Sequence, residues 1–356
     1  MVRGSSVALV WAVVVGCGGC GGCGGESAKE DAPTGSSDPS LATVEPSARA
    51  IDARPAACGE CHPDVVADWQ TSVHAQAWTD PVFRAEYDPA PAASCRNCHD
   101  PPARAPDTHG IDCATCHVRD GQVLATGTSP EAAAAHPITV EPTLASVDAC
   151  AGCHQFQFSD DGVHDSAEAL QDTVAEWRTS VAAGEGRTCL DCHMPAGSHR
   201  LPGASDPTLL AGAVDVAITA ERAAGGTIVA EVELRGDEIG HAFPTGDVFR
   251  QGRLTLRTDA GARETVVLQR WLARTADPDH AASHVRTVDD TRVPPPGTGV
   301  LRERVELANS EDSARATAIT WTLELHRLPP KQARERGLDP ALTVIPVAAG
   351  SVAIAD

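Results

Sequence analysis

Residues 58–74 read CGECHPDVVADWQTSVH, and the first five of them decide the architecture. Cys58 and Cys61 stand three apart with His62 directly behind. The arrangement returns four more times, in Cys95-Arg-Asn-Cys98-His99, Cys113-Ala-Thr-Cys116-His117, Cys150-Ala-Gly-Cys153-His154 and Cys189-Leu-Asp-Cys192-His193. Such spacing presents two thiols to the two vinyl groups of one porphyrin and places an imidazole under its iron, the attachment chemistry of c-type haem. Zinc also binds CxxC pairs but does not require a histidine immediately after the second cysteine. At a histidine frequency of about 0.04, five such coincidences have a chance of about one in ten million. Five covalently attached c-type haems are therefore expected, with His62, His99, His117, His154 and His193 as proximal iron ligands.

Composition agrees. The 356 residues exceed what one compact core usually spans, so two folding units are expected. Only 3% of residues are aromatic and only two are Met, so the side chains that normally fill a large core are scarce. Porphyrins packed within residues 58–193 would supply that core instead. The net charge of -21 argues against nucleic acid as a partner and favours a redox protein with a complementary surface, another cytochrome or a reductase.

The chain opens with Arg3 ahead of a short apolar run, Val7 to Val15, far below the roughly 20 residues that span a bilayer. This reads as an export signal. Val14-Val15-Gly16-Cys17 resembles the bacterial lipoprotein box, which makes Cys17 the expected lipidation site and gives a membrane anchor. Residues 1–23 are thus a signal with a Gly/Cys tether, and 24–54, rich in Ser, Pro, Ala and acids, a disordered linker. The expected location is periplasmic or on the outer membrane, with the cell surface as a further option.

The sixth iron ligand follows by elimination. Met194 is the only Met after the initiator and directly follows a proximal histidine; the lysines, Lys29 and Lys331, are far from the motifs. Each iron is then bis-His or open. Nine histidines remain: His74, His109, His136, His164, His199, His241, His280, His284 and His326. The stretch from Pro63 to Trp78 reads as one helix with Val66, Trp69 and Val73 on a face. On such a helix His74 lies about 18 Å from His62 and must serve another haem. His109 precedes Cys113 by four residues, His136 follows an Ala run, and His199 follows His193 by six.

At these residues the chain resembles the multihaem cytochromes c related to the tetrahaem electron carrier that serves hydroxylamine oxidoreductase. The resemblance covers roughly residues 55–200. It rests on Cys58 to His74 with Trp69 and Ser72-x-His74-Ala75, on His109-Gly-Ile-Asp-Cys113, and on Cys192-His-Met-Pro195 with His199 behind it. It implies a mostly helical fold of closely packed haem pairs and distal ligation by His74, His136 and His199. Cys192 to Pro195 also looks like a segment of pentahaem nitrite reductases. Those enzymes use a Cys-x-x-Cys-Lys haem, which this chain lacks, and Tyr87 is the only tyrosine a hydroxylamine-oxidising centre could use.

Residues 166–183, SAEALQDTVAEWRTSVAA, read as a helix with Leu170, Val174, Trp177 and Val181 on one stripe and Asp165-x-x-Glu168 as a capping box. His164, ahead of the cap, reads as an exposed entry residue. After residue 206 the period changes to two. Ile228, Ala230, Val232 and Leu234 alternate with Val229, Glu231, Glu233 and Arg235, as do Leu254 and Leu256 with their polar neighbours, and Ile319, Trp321, Leu323 and Leu325 with theirs. His326 falls on the polar face and His280 and His284 in a polar loop, with no iron assigned to them. The expected fold is α+β: a mostly helical and irregular multihaem cytochrome domain over 55–206, then an antiparallel β-sandwich-like domain over 207–356.

His241, in Ile239-Gly-His-Ala-Phe-Pro-Thr-Gly246, lies 48 residues beyond the last motif. His74, His109, His136 and His199 leave one of five irons without a partner, and GHAFPTGD resembles a stretch found in β-domains that follow multihaem modules. His241 is therefore expected to reach back and cap the fifth haem. The function expected is an exported pentahaem electron carrier in a respiratory chain, with no catalytic residue assigned. The alternatives are a multihaem oxidoreductase with one open haem, reducing nitrite, hydroxylamine or a sulfur oxyanion, and a docking or self-associating subunit of a larger cytochrome assembly.

Overall fold

A computed structural model of the chain describes residues 52–101, 110–157, 168–276, 283–307 and 315–356, with the backbone alone at 274–276, 283 and 284. Cys17, residues 24–51 of the linker, His109, His164 and His280 lie outside the described residues.

The first half is built from short helices, including Pro63–Gln70 (α1), Pro81–Tyr87 (α2), Ala93–His99 (α3), Thr173–Arg178 (α4) and Val181–Gly184 (α5). In four of the five attachment motifs the proximal histidine is the last residue of such a helix. Among the described residues no helix is long and apolar enough to cross a membrane.

Two expected helices are broken, each for an identifiable reason. The one through His74 stops at Gln70, because the Thr71 hydroxyl and the Thr71 N–H both bond back to Asp68 O, and Ser72 Oγ then accepts from Ala75 N to start a new turn. His74 therefore sits in a turn, not on the helix. In the 166–183 segment Ala169–Gln171 is a strand paired with Phe156–Gln157, and Arg270 takes the Ala169 and Leu170 carbonyls at 2.6 and 2.9 Å, withdrawing them from any helical ladder. Helix begins only at Thr173, and Ser180 caps a second short piece. Glu168 accepts from Thr287 of the other half instead of capping a helix.

Among the described residues the second half has nine strands: β1 Asp215–Arg222, β2 Ile228–Arg235, β3 Gln251–Thr258, β4 Arg263–Leu268, β5 Arg270–Ala276, β6 Ser283–Asp290, β7 Leu301–Leu307, β8 Ala318–His326 and β9 Val344–Ala355. Seven form one sheet in the order β7-β2-β1-β9-β8-β3-β4, and its edge strands β7 and β4 approach each other, so the sheet nearly closes around its core. All pairings are antiparallel except β9 with β1, joined in parallel through Ile354 and Ala355. The period-two residues line the interior: Ile228, Ala230, Leu234, Leu254, Leu256, Ile319 and Leu323 are completely buried. Strands β5 and β6 form a separate hairpin, so His284 belongs to a strand and not to a loop. His326 keeps its polar-face position but is buried, 3.2 Å from Glu324 on the same face.

The halves are joined by apolar and ionic contacts. Val82 of α2 packs with Leu328 and Ala333 beneath Phe249 and Leu338. Asp80 caps α2 by accepting from Val82 N and Phe83 N, and also receives Arg327 Nη2 at 2.9 Å. Burial pushes the Asp80 carboxyl up, but Arg327 and the two backbone N–H groups together hold it below the usual carboxylate value. A depressed folded value means that the contact stabilises fully above the unfolded pKa, about 3.9, and is lost as pH falls through the folded one. Thermal melting of the wild type should accordingly decline below about pH 4, and Asp80→Asn should lower the midpoint at neutral pH while flattening that acid limb.

Candidate haem centres

The five attachment motifs are drawn together. The free thiols of Cys58 and Cys113, of Cys98 and Cys153, and of Cys150 and Cys189 lie close enough to perturb each other's ionisation, and Cys116 lies near enough to Cys150 and Cys153 to push against theirs. These thiols stand where thioether sulfurs sit once porphyrin vinyl groups have been added. First and third motifs therefore adjoin, as do second and fourth, fourth and fifth, and third and fourth. Burial, followed by the Cys58 charge, pushes the unmodified Cys113 thiol up to about 12.

Three histidine pairs face each other across motif boundaries. His74 and His154 have ring centroids 6.4 Å apart, His117 and His199 6.1 Å, and His193 and His241 6.4 Å. Two metal–nitrogen bonds of about 2.0 Å plus a ring radius on each side give about 6 Å, the separation of two imidazoles that share one metal ion. The pairings are long-range: His74 from the first motif's segment meets the fourth motif, and His241 from the β-domain meets the fifth. No three described His, Cys, Asp or Glu side chains converge as an all-protein metal site would require.

The protonation of these rings suits ligation. Nδ1 lies within hydrogen-bond distance of a backbone carbonyl in five histidines: His99 with Ala77 O (3.0 Å), His117 with Leu124 O (3.0 Å), His193 with Pro202 O (2.7 Å), His199 with Gly197 O (2.9 Å) and His241 with Ala242 O (2.9 Å). A carbonyl only accepts, so Nδ1 carries the proton and Nε2 keeps its lone pair for a metal. Burial also disfavours the charged form of His74, His99, His154 and His241, driving His154 to about 4. The remaining sites are less paired. His99 stacks on Phe83 at 3.9 Å, no described imidazole faces His62 or His99 across such a gap, and His136 has a buried Nδ1 without a hydrogen-bond partner.

The His241 loop is held from the haem side. Glu176 of α4 is buried; its Oε2 accepts from Ala242 N (3.3 Å) and Thr245 Oγ1 (2.6 Å), and its Oε1 from Arg292 Nη1 (2.5 Å). Arg292 in turn holds Asp290 at 2.8 Å. On the other side Phe243 exchanges both backbone bonds with Val293 at 2.9 Å.

These features fit haem: ten thiols in five pairs, each followed by an imidazole, and second imidazoles presented at the separation of a shared metal. Residues 43–118, which contain the first three motifs, match the family described as cytochrome c7 and related cytochrome c. That match and the five motifs support a multihaem c-type cytochrome. Among solved structures, the chain is similar to the crystal structure of a penta-heme cytochrome c552 from Thermochromatium tepidum, with 21% identity, a TM-score of 0.65, and 86% of this chain and 99% of that chain covered. A likeness of that extent takes in both halves of the fold. No curated protein sequence matches the chain.

Sequence reading missed the carboxylates that hold the ligand-bearing loops. Besides Glu176, Asp68 Oδ2 accepts from Ser198 Oγ (2.6 Å) and from the backbone N–H of His199 (3.2 Å). The signal that would have found them is an internal repeat: DVVADWQTSVHA at 64–75 and DTVAEWRTSVAA at 172–183 are identical at eight of twelve positions.

Proposed function

We propose that this cytochrome is an exported pentahaem electron carrier that passes single electrons between redox partners of a respiratory chain. One observation carries the reading: three interlaced histidine pairs, each 6.1–6.4 Å apart, would each hold one haem iron through two imidazoles and so leave those sites no position for a substrate. Bound haem supplies a one-electron iron couple, and bis-His ligation favours potentials below those of His/Met cytochromes. That suits reduction of anaerobic acceptors, and kinship with the tetrahaem carrier of hydroxylamine oxidoreductase fits the same role. Proximity of the thiols of the first and third, third and fourth, second and fourth, and fourth and fifth motifs supports a continuous path through all five sites.

In this reading His154 and His74, His117 and His199, and His193 and His241 are axial pairs, and His109 and His136 complete the sites of the first two motifs. A lipid on Cys17 holds the protein at a membrane of the periplasm, and the partner is a second redox protein docking on the haem half. Mass spectrometry of the mature protein should give five haems and a diacylated N-terminal cysteine. Electron paramagnetic resonance of the air-oxidised protein should show low-spin ferric signals only. A high-spin haem that binds nitrite or hydroxylamine would make the protein a reductase instead. The interlacing is itself testable: His74→Ala should turn the haem attached at Cys150 and Cys153 high-spin and leave the one at Cys58 and Cys61 low-spin. Spin-state spectra of single-motif knockouts in that background assign the affected site.

A further inference from the structure

The two copies of the repeat share more than residues. Trp69 Nε1–H donates to Ile111 O at 2.8 Å, and Trp177 Nε1–H to Arg187 O at 2.9 Å. Ile111 stands two residues before Cys113 and Arg187 two residues before Cys189, so each indole grips the same point on the approach to an attachment motif. In both copies the threonine after the helix donates its hydroxyl to the acid's carbonyl (2.7 and 2.8 Å), the serine is buried, and its Oγ accepts from the N–H three residues on. The acid preceding each tryptophan reaches a different segment. Asp68 takes the His199 loop and Glu176 the His241 loop. His199 faces His117 of the third motif and His241 faces His193 of the fifth, the very motifs whose approaches the two tryptophans hold.

We propose that Asp68-Trp69 and Glu176-Trp177 are two copies of one positioning device, each fixing both axial histidines of a single haem. The indole sets the segment leading into the proximal histidine, and the adjacent carboxylate sets the loop that presents the distal one. This rests on the bis-His reading above. Neighbouring side chains on a helix diverge, which lets one short rigid element hold two segments on opposite sides of a metal at a fixed spacing. The departures between the copies follow the same logic. Thr173 replaces Val65 and contacts Thr245 Oγ1 at 2.9 Å, Glu176 replaces Asp68 and spans to the β-domain, and Ala182 replaces His74. His74 is spent on the fourth motif; at the corresponding place a Cβ on Gly240 would lie 3.7 Å from the Ala182 methyl and 3.5 Å from Trp177. The second copy gives up a ligand and packs the His241 loop instead.

The test is resonance spectroscopy and haem-by-haem potentiometry of the loaded protein, in which His199→Ala and His241→Ala identify the low-spin signals of the third and fifth sites. Glu176→Gln and Trp177→Phe should shift the g values and potential of the signal that His241→Ala abolishes, or turn part of it high-spin. Asp68→Asn and Trp69→Phe should act on the His199 signal only. Thr245→Val, which removes one of the Glu176 bonds, serves if Glu176→Gln does not accumulate. Lowered melting temperature with every low-spin signal and potential at its wild-type value would overturn the proposal and leave a merely structural role, as would a shift of the wrong signal. Should His199→Ala and His241→Ala themselves leave all low-spin signals intact, the ligand assignment fails and this pairing falls with it; intact controls beside silent positioning variants overturn the pairing alone.

Discussion

Replacing His241 by alanine is expected to turn one low-spin haem high-spin while the protein stays folded. The His241 ring lies 6.4 Å from that of His193 with 12° between their planes, and its Nδ1 proton is held by Ala242 O, so Nε2 is the nitrogen left to hold a haem iron. Truncation removes this nitrogen but leaves the loop's other fastenings: Glu176 to Ala242 N and Thr245 Oγ1, and Phe243 to Val293. Water or an added anion would occupy the freed position. The ferric sample should gain a high-spin signal and lose one of its low-spin ones, cyanide or nitrite should bind where the wild type binds neither, and the potential of that site should move. An unchanged spectrum would make His241 a loop residue with no iron.

A chain produced without haem attachment is expected to keep the β-domain and lose the first half. Among the described residues only eight buried apolar side chains precede residue 207: Pro55, Val66, Val82, Pro101, Ala114, Leu124, Val174 and Ala182. At about 1.5–3 kcal/mol for each fully buried Val or Leu, these fall far short of ordering some 150 residues at about 1–2 kcal/mol each. The sheet by contrast carries a contiguous core that includes Ile228, Leu234, Leu254, Leu256, Leu268 and Ile319. Limited proteolysis of the haem-free chain should trim it to a resistant fragment beginning near residue 207, and its circular dichroism should report β-structure with little helix. Protection extending through residues 58–193 without haem would show that protein packing alone sustains that half.

The attachment sites needed only local information, because both thiols and the imidazole come from five consecutive residues. The sheet was similarly legible where one face is buried: Ile228 to Leu234 and Ile319 to Leu325 alternate because a pleated strand turns successive side chains to opposite faces. The broken helices were not legible. The 166–183 pattern is amphipathic, and what stops a helix there is Arg270, about a hundred residues away, taking two carbonyls. The polar-face position of His326 was readable, but its burial depends on what covers the sheet.

The sequence by itself determined five CxxCH motifs with the attachment chemistry of c-type haem and a period-two domain after them, since each rests on residues adjacent in the chain. It also contained the duplicated DVVADW and DTVAEW segments, although their role could not be read from their spacing. Only the tertiary structure decided which histidine faces which: His74 with His154 over 80 residues, His117 with His199 over 82, His193 with His241 over 48. The physical reason is that an axial pair needs two imidazoles about 6 Å apart on one line, a condition on distance in space that spacing in the chain does not encode once the segments between are turns.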